Sequence, residues 1–205
     1  MMFKVGEWNA VVAGAWNPAA LTPNGVRQHL FKVAKEVPMG IELAIEEVQP
    51  PRVRHDGLVV VVATDRLIAA PEISNLANLK RAAGLLVSAV QALDQTPIRA
   101  GGVNLRFSHE DPNTLLDARR SPLDERLEEQ FTLNARALKR SLVRSEGLLN
   151  FEFREENGQL ALDLNFHFDS TSPAQMAAWL GKVEEFHQEA VKLLEVLGVE
   201  IGETT

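Results

Sequence analysis

The sequence predicts an α+β fold on an antiparallel sheet, in a βαββαβ, ferredoxin-like order followed by a helix and a ββ(β) meander. Helices should pack mainly on one face, with a long helix closing the chain. Three observations predict this. Residues 149–166 match in register around Asn157-Gly158. Residues 76–93 carry a helical apolar stripe. Leu58 to Ala63 form an unbroken apolar run.

The hairpin is tested by its register. Asn-Gly between alternating apolar residues favours a type I′ turn. A two-residue loop at Asn157-Gly158 sets Leu149 opposite Phe166, Phe151 opposite Leu164 and Phe153 opposite Leu162. A slip of one residue would destroy this match.

The remaining elements follow in chain order. Phe3, Val5, Ala10 and Val12 mark a strand over 3–13. Thr22-Pro23 is a cap residue followed by proline, and Val26, Leu30 and Val33 extend a helix over 23–36. Ile41, Leu43 and Ile45 alternate as a half-buried strand. Leu58–Ala63 reads as a central strand covered on both faces, running on through Ile68.

Leu76, Leu79, Ala83, Leu86, Val90 and Leu93 share one face of a helix over 74–93, with Ser74 as its cap. Val103, Leu105 and Phe107 alternate in a strand after Pro97, where Gly101-Gly102 suggests a bulge or a close backbone approach. Residues 108–121 read as a long connection. Ser121-Pro122 restarts a helix, and 136–144 lean to a strand. Ser172-Pro173 opens a helix to about 197, ended by Gly198. No linker-like tract interrupts 1–205, so one domain is expected.

Composition narrows the function. The chain has 205 residues and no cysteine, which excludes disulfides, thiolate metal sites and a cysteine nucleophile. No signal peptide or membrane-length apolar run is read, so a soluble, cytoplasmic protein is expected. The formal net charge of −7 argues against nucleic acid as a partner. The arginine groups 52/54, 119/120 and 136/140/144, the last with Lys139, read as solvated or ion-paired surface.

No phosphate loop, dinucleotide turn, zinc-protease or nucleophile-elbow motif is present. No catalytic residue, cofactor or metal site is therefore assigned. His29, His55, His109, His167 and His187 lack metal-ligand spacing with one another. His109-Glu110-Asp111 could hold a cation, but adjacent side chains diverge. Trp8, Trp16 and Trp179 read as core or boundary residues.

One constellation stands out. Asp163, Asn165, His167 and Asp169 occupy every second position, so they share a face. The hairpin register adds Asn150, Glu152 and Arg154, and sets Glu152 opposite Asp163. Opposed carboxylates repel. Arg154, a cation, a basic partner or solvent must compensate. An ordinary wet sheet face is the simplest reading. A binding face of Glu152, Arg154, Asp163, Asn165, His167 and Asp169 is the functional one.

The sequence thus favours a non-enzymatic protein-binding module, an adaptor, chaperone-like or assembly component with a protein partner or self-association. The alternative is a small-molecule or metal-binding enzyme around Glu152, Asp163 and His167.

Overall fold

A computed structural model describes residues 2–43, 50–110, 121–132, 137–156 and 159–202. Among these, ten strands form one sheet. They are β1 (Met2–Gly14), β2 (Gly40–Glu42), β3 (Arg52–His55), β4 (Leu58–Val62), β5 (Arg66–Pro71), β6 (Ile98–His109), β7 (Ala137–Val143), β8 (Leu148–Glu156), β9 (Gln159–Asp169) and β10 (Glu200–Ile201). The order across the sheet is β2-β3-β4-β5-β1-β6-β9-β8-β7, every pair antiparallel, with β10 added in parallel to β1. The helices are α1 (Pro23–Val26), prolonged by a π-turn over Arg27–Phe31, α2 (Leu76–Ala92), α3 (Pro122–Glu128), α4 (Pro173–Leu180) and α5 (Val183–Val196).

The α+β class and the antiparallel sheet are as expected, but among the described residues six strands, not four, lie between Met2 and His109. Arg66 to Pro71 form a separate strand, because the chain turns at Ala63–Asp65 and returns beside β4. β3 and β4 form a further tight hairpin, in which Asp56 and Gly57 have φ of 50° and 71°. Positive φ at both positions matches the right-handed twist of paired strands. The first connection thus gains strands that the pattern of apolar runs did not separate.

One face of the sheet is dry. Ala10, Val12, Val60, Leu67, Val103, Leu105, Phe151, Phe153, Leu162 and Phe166 alternate into one continuous apolar core. α2 seals it with Leu79, Ala83, Leu86 and Val90, as its spacing predicts. Its cap is Asn75, whose side chain accepts from the Asn78 amide at 2.9 Å. Ser74, expected as the cap, instead accepts the Trp8 amide at 3.0 Å. All three tryptophans are buried in this core.

Leu58–Val62 is not covered on both faces. Leu58, Val60 and Val62 are buried, whereas Val59 and Val61 are half-buried on the opposite face. β2 is shorter than expected and exposed, and residues 44–49 lie outside the described residues. The first helix is also shorter, because Lys32 turns into the left-handed region and its amide bonds back to the Arg27 carbonyl.

The long closing helix is broken at Gly181-Lys182. Glycine weakens a helix interior by about 1 kcal/mol. The break seats α4 over Gly101, where an added Cβ would meet Met176 and Trp179. α5 can then stack Phe186 on Phe166, with ring centroids 5.0 Å apart. The glycine pair in β6 thus marks a close approach, and no register shift occurs there.

The β8–β9 hairpin has the expected register: Leu149 faces Phe166, Phe151 faces Leu164 and Phe153 faces Leu162. Asn157 and Gly158 lie outside the described residues, as do 111–120 and 133–136. Residues 137–143 are a strand as read, while Leu123 and Phe131 around α3 are exposed. No described helix is long and apolar enough to cross a membrane.

Candidate functional site

The sheet face opposite the apolar core, on which no described helix packs, carries the candidate residues. Antiparallel pairing places side chains of aligned positions about 5 Å apart, so aligned residues form rows across strands. One such row is amide. Asn9, Asn104, Asn165 and Asn150 stand in direct register on β1, β6, β9 and β8, and Ser141 continues the row on β7.

These side chains form one directional chain of hydrogen bonds. Ser141 Oγ donates to Asn150 Oδ1 at 2.6 Å. Asn150 Nδ2 donates to Asn165 Oδ1 at 3.1 Å. Asn165 Nδ2 donates to Asn104 Oδ1 at 2.7 Å, and Asn104 Nδ2 to Asn9 Oδ1 at 2.7 Å. Each donor polarises the next. The chain ends at Asn9, whose own Nδ2 has no acceptor among the described residues.

The adjacent row is ionic. Arg106, Asp163, Glu152 and Lys139 align on β6, β9, β8 and β7. The opposed carboxylates of Glu152 and Asp163 are present as expected, and each has a cation. Arg106 Nε donates to Asp163 Oδ1 at 2.7 Å, and Arg154 Nη1 bonds its other oxygen. Lys139 Nζ lies 3.3 Å from Glu152. Arg154 was foreseen among the possible compensations; Arg106 and Lys139 were not.

His167 stands apart from both carboxylates. It aligns with Gly102 and Leu148, and its Nε2 lies 3.1 Å from Asp169 Oδ1. Four residues of strand separate it from Asp163, about 13 Å. The face thus joins Asn165 to the amide row and Glu152, Arg154 and Asp163 to the ionic row. It leaves His167 and Asp169 as a separate pair. Among the described residues, no group of three His, Asp or Glu is placed to hold a metal. Of the 109–111 trio, Glu110 pairs with Lys4 and Asp111 lies outside the described residues.

Sequence reasoning missed Asn9, Asn104, Arg106, Lys139 and Ser141. Asn104 and Arg106 do alternate with the apolar residues of their strand. Their alignment with Asn165 and Asp163 depends on β6 lying beside β9, a long-range pairing that no local spacing reports.

Two clefts open on this face. The smaller, 370 Å³, lies over the junction of the two rows, among Asn9, Asn104, Arg106, Asp163 and Asn165. The larger, 580 Å³, lies over β3, β4, β5 and the start of β1. It forms where β1 parts from β5. The two strands pair only from Ala10 to Ala13, and β10 joins β1 only at Met2 and Phe3. Between these contacts β1 is bulged, and the Trp8 amide turns to Ser74.

Neither a scan of protein-family models nor a search of curated proteins matches this chain.

Proposed function

We propose that this chain is a non-enzymatic protein-binding module, an adaptor, chaperone-like or assembly component, that engages its partner through the uncovered face of its sheet. The amide row carries the reading. Five side chains on five strands are already hydrogen-bonded to one another. A surface fixed in advance loses less conformational entropy on association. The row still offers unused lone pairs and amide hydrogens to a backbone laid against it.

The ionic row supports binding over acid–base chemistry. Its carboxylates are matched with arginine and lysine, and His167 is rows away from them. This weakens the reading of an enzyme or metal site around Glu152, Asp163 and His167. The central strands present asparagine, aspartate and arginine rather than the stacking aromatics that single-stranded RNA needs. At the sheet edge, Lys139 and Arg140 discourage pairing with a further strand, which favours the face over the edge.

Co-purification from the source cells, compared across variants, tests this. Asn165→Arg plants a long charge in the middle of the row, whereas Lys80→Ala alters an exposed residue of α2. The reading requires a stoichiometric protein that stays with wild type and Lys80→Ala and leaves with Asn165→Arg. Equal retention by all three would overturn it.

A further inference from the structure

We infer that the larger cleft is a binding site for an apolar chain ending in a carboxylate. This goes beyond the protein-partner reading and does not depend on it. Cross-strand register sets the layout. Arg52 on β3 pairs with Val61 on β4, which pairs with Ile68 on β5. Arg54, Val59 and Ala70 form the neighbouring row, and Asn9 on β1 lies beyond Ala70. A half-buried aliphatic floor therefore runs from two arginines to an amide donor. Three strand spacings make it about 14 Å across, a span that suits a ten-carbon chain.

The charges give the ligand a direction. Arg54 is occupied, with Nε 2.8 Å from Glu42 and Nη1 2.7 Å from Glu72. Arg52 is exposed; it stands opposite Glu42, whose carboxylate feels its charge, but it makes no hydrogen bond or close ion pair among the described residues. It is the cation left for a carboxylate. At the far bank stands Glu7, exposed and likewise without an ion pair among the described residues. Glu7 repels an anion there. An acid with one carboxylate thus lies with its head on Arg52 and its tail slanting across Val61 and Ala70 toward Asn9. A chain charged at both ends meets Glu7.

The test uses decanoate, decanedioate and decanol below their aggregation limits, read by calorimetry and by methyl NMR of the full chain. Decanoate should bind with one-to-one stoichiometry and move the methyl signals of Val59, Val61 and Ile68. Arg52→Gln should weaken it about tenfold, as loss of a charge-assisted contact does. Decanedioate and decanol should each bind several-fold more weakly. Glu7→Gln should restore decanedioate while leaving decanoate unchanged. Arg52 and Glu7 are exposed, so these variants keep the fold. Equal affinity of wild type and Arg52→Gln would overturn the site. So would shifts centred on the exposed Leu123 or Val143, the mark of diffuse detergent-like binding. Tighter binding of acetyl-Ala-Val-Ile-Leu than of decanoate would overturn the free acid as occupant in favour of a peptide terminus.

Discussion

The guanidinium of Arg144 grips both carboxylate oxygens of Glu189, with Nε 2.9 and 2.8 Å from them and Nη2 at 2.6 Å. The same group lies over the rings of Phe166 and Phe186, 5.1 and 4.9 Å from their centroids. One side chain after β7 thereby ties the β7–β8 turn to α5. Only 11% of it is exposed.

Arg144→Ala should therefore destabilise the protein by about 2–3 kcal/mol, combining lost ring contact, lost packing and a severed pair. Arg144→Lys should recover less than half, because a point charge cannot fork. Glu189→Gln should cost about 1 kcal/mol or less, since that carboxylate is more exposed. Urea unfolding reads all three. An alanine variant within experimental error of wild type would remove Arg144 from the account.

The amide row should behave as a unit. Asn165 both accepts from Asn150 and donates to Asn104, so Asn165→Ala breaks two links. The row is half-exposed, and a loss of about 1–2 kcal/mol is expected. Asn165→Asp should do no better, because its oxygen would face the Asn104 oxygen. In a double-mutant cycle, Asn9→Ala and Asn150→Ala should couple despite lying on separate strands. Strict additivity would mean that the links do not reinforce one another.

Two glycines with similar φ should respond differently to the same change. Gly57 has φ of 71° and open space around it. Gly57→Ala should cost about 1 kcal/mol, the backbone penalty alone. Gly147 has φ of 80°, and an added Cβ would collide with the His167 carbonyl. That atom belongs to a sheet strand and cannot move aside cheaply. Gly147→Ala should cost about 3 kcal/mol or more. Melting temperatures of the two variants decide it, and equal losses would contradict the contact.

Acidification should weaken the fold through His187. Burial holds its pKa below the usual imidazole value, partly opposed by Glu184. Its ring packs 5.6 Å from that of Trp8, while Glu184 itself is held by Lys80. The unfolded chain then takes up the proton first. Stability is full above about pH 6.5 and declines as pH falls toward the lower folded value. His187→Gln should flatten the slope of melting temperature between pH 7.5 and 5.5. An unchanged slope would assign the effect elsewhere.

Short-range signals carried much of this architecture. The stripe on α2 and the hairpin register were legible because each is settled by residues close in sequence. The partition of Leu58–Pro71 was not, since both faces of β4 and β5 carry aliphatic residues and blur the two-residue period. The break at Gly181 was hidden because the apolar stripe continues through it. The polar face of β8 and β9 was legible from alternation alone. The amide row needed β1 and β6 beside them, and nothing local in Asn9 or Asn104 announces that alignment.

The placement of β1 also sets how the chain must be assembled. Ala10 lies against Ala69 on one side and Val103 on the other, so β1 waits for neighbours that lie much later in the chain. Closing such wide loops costs entropy before any contact repays it. We expect slow refolding limited by capture of this strand, while the local β8–β9 hairpin zips early. Until that capture Trp8, Ala10 and Val12, all buried in the folded protein, stay in contact with water.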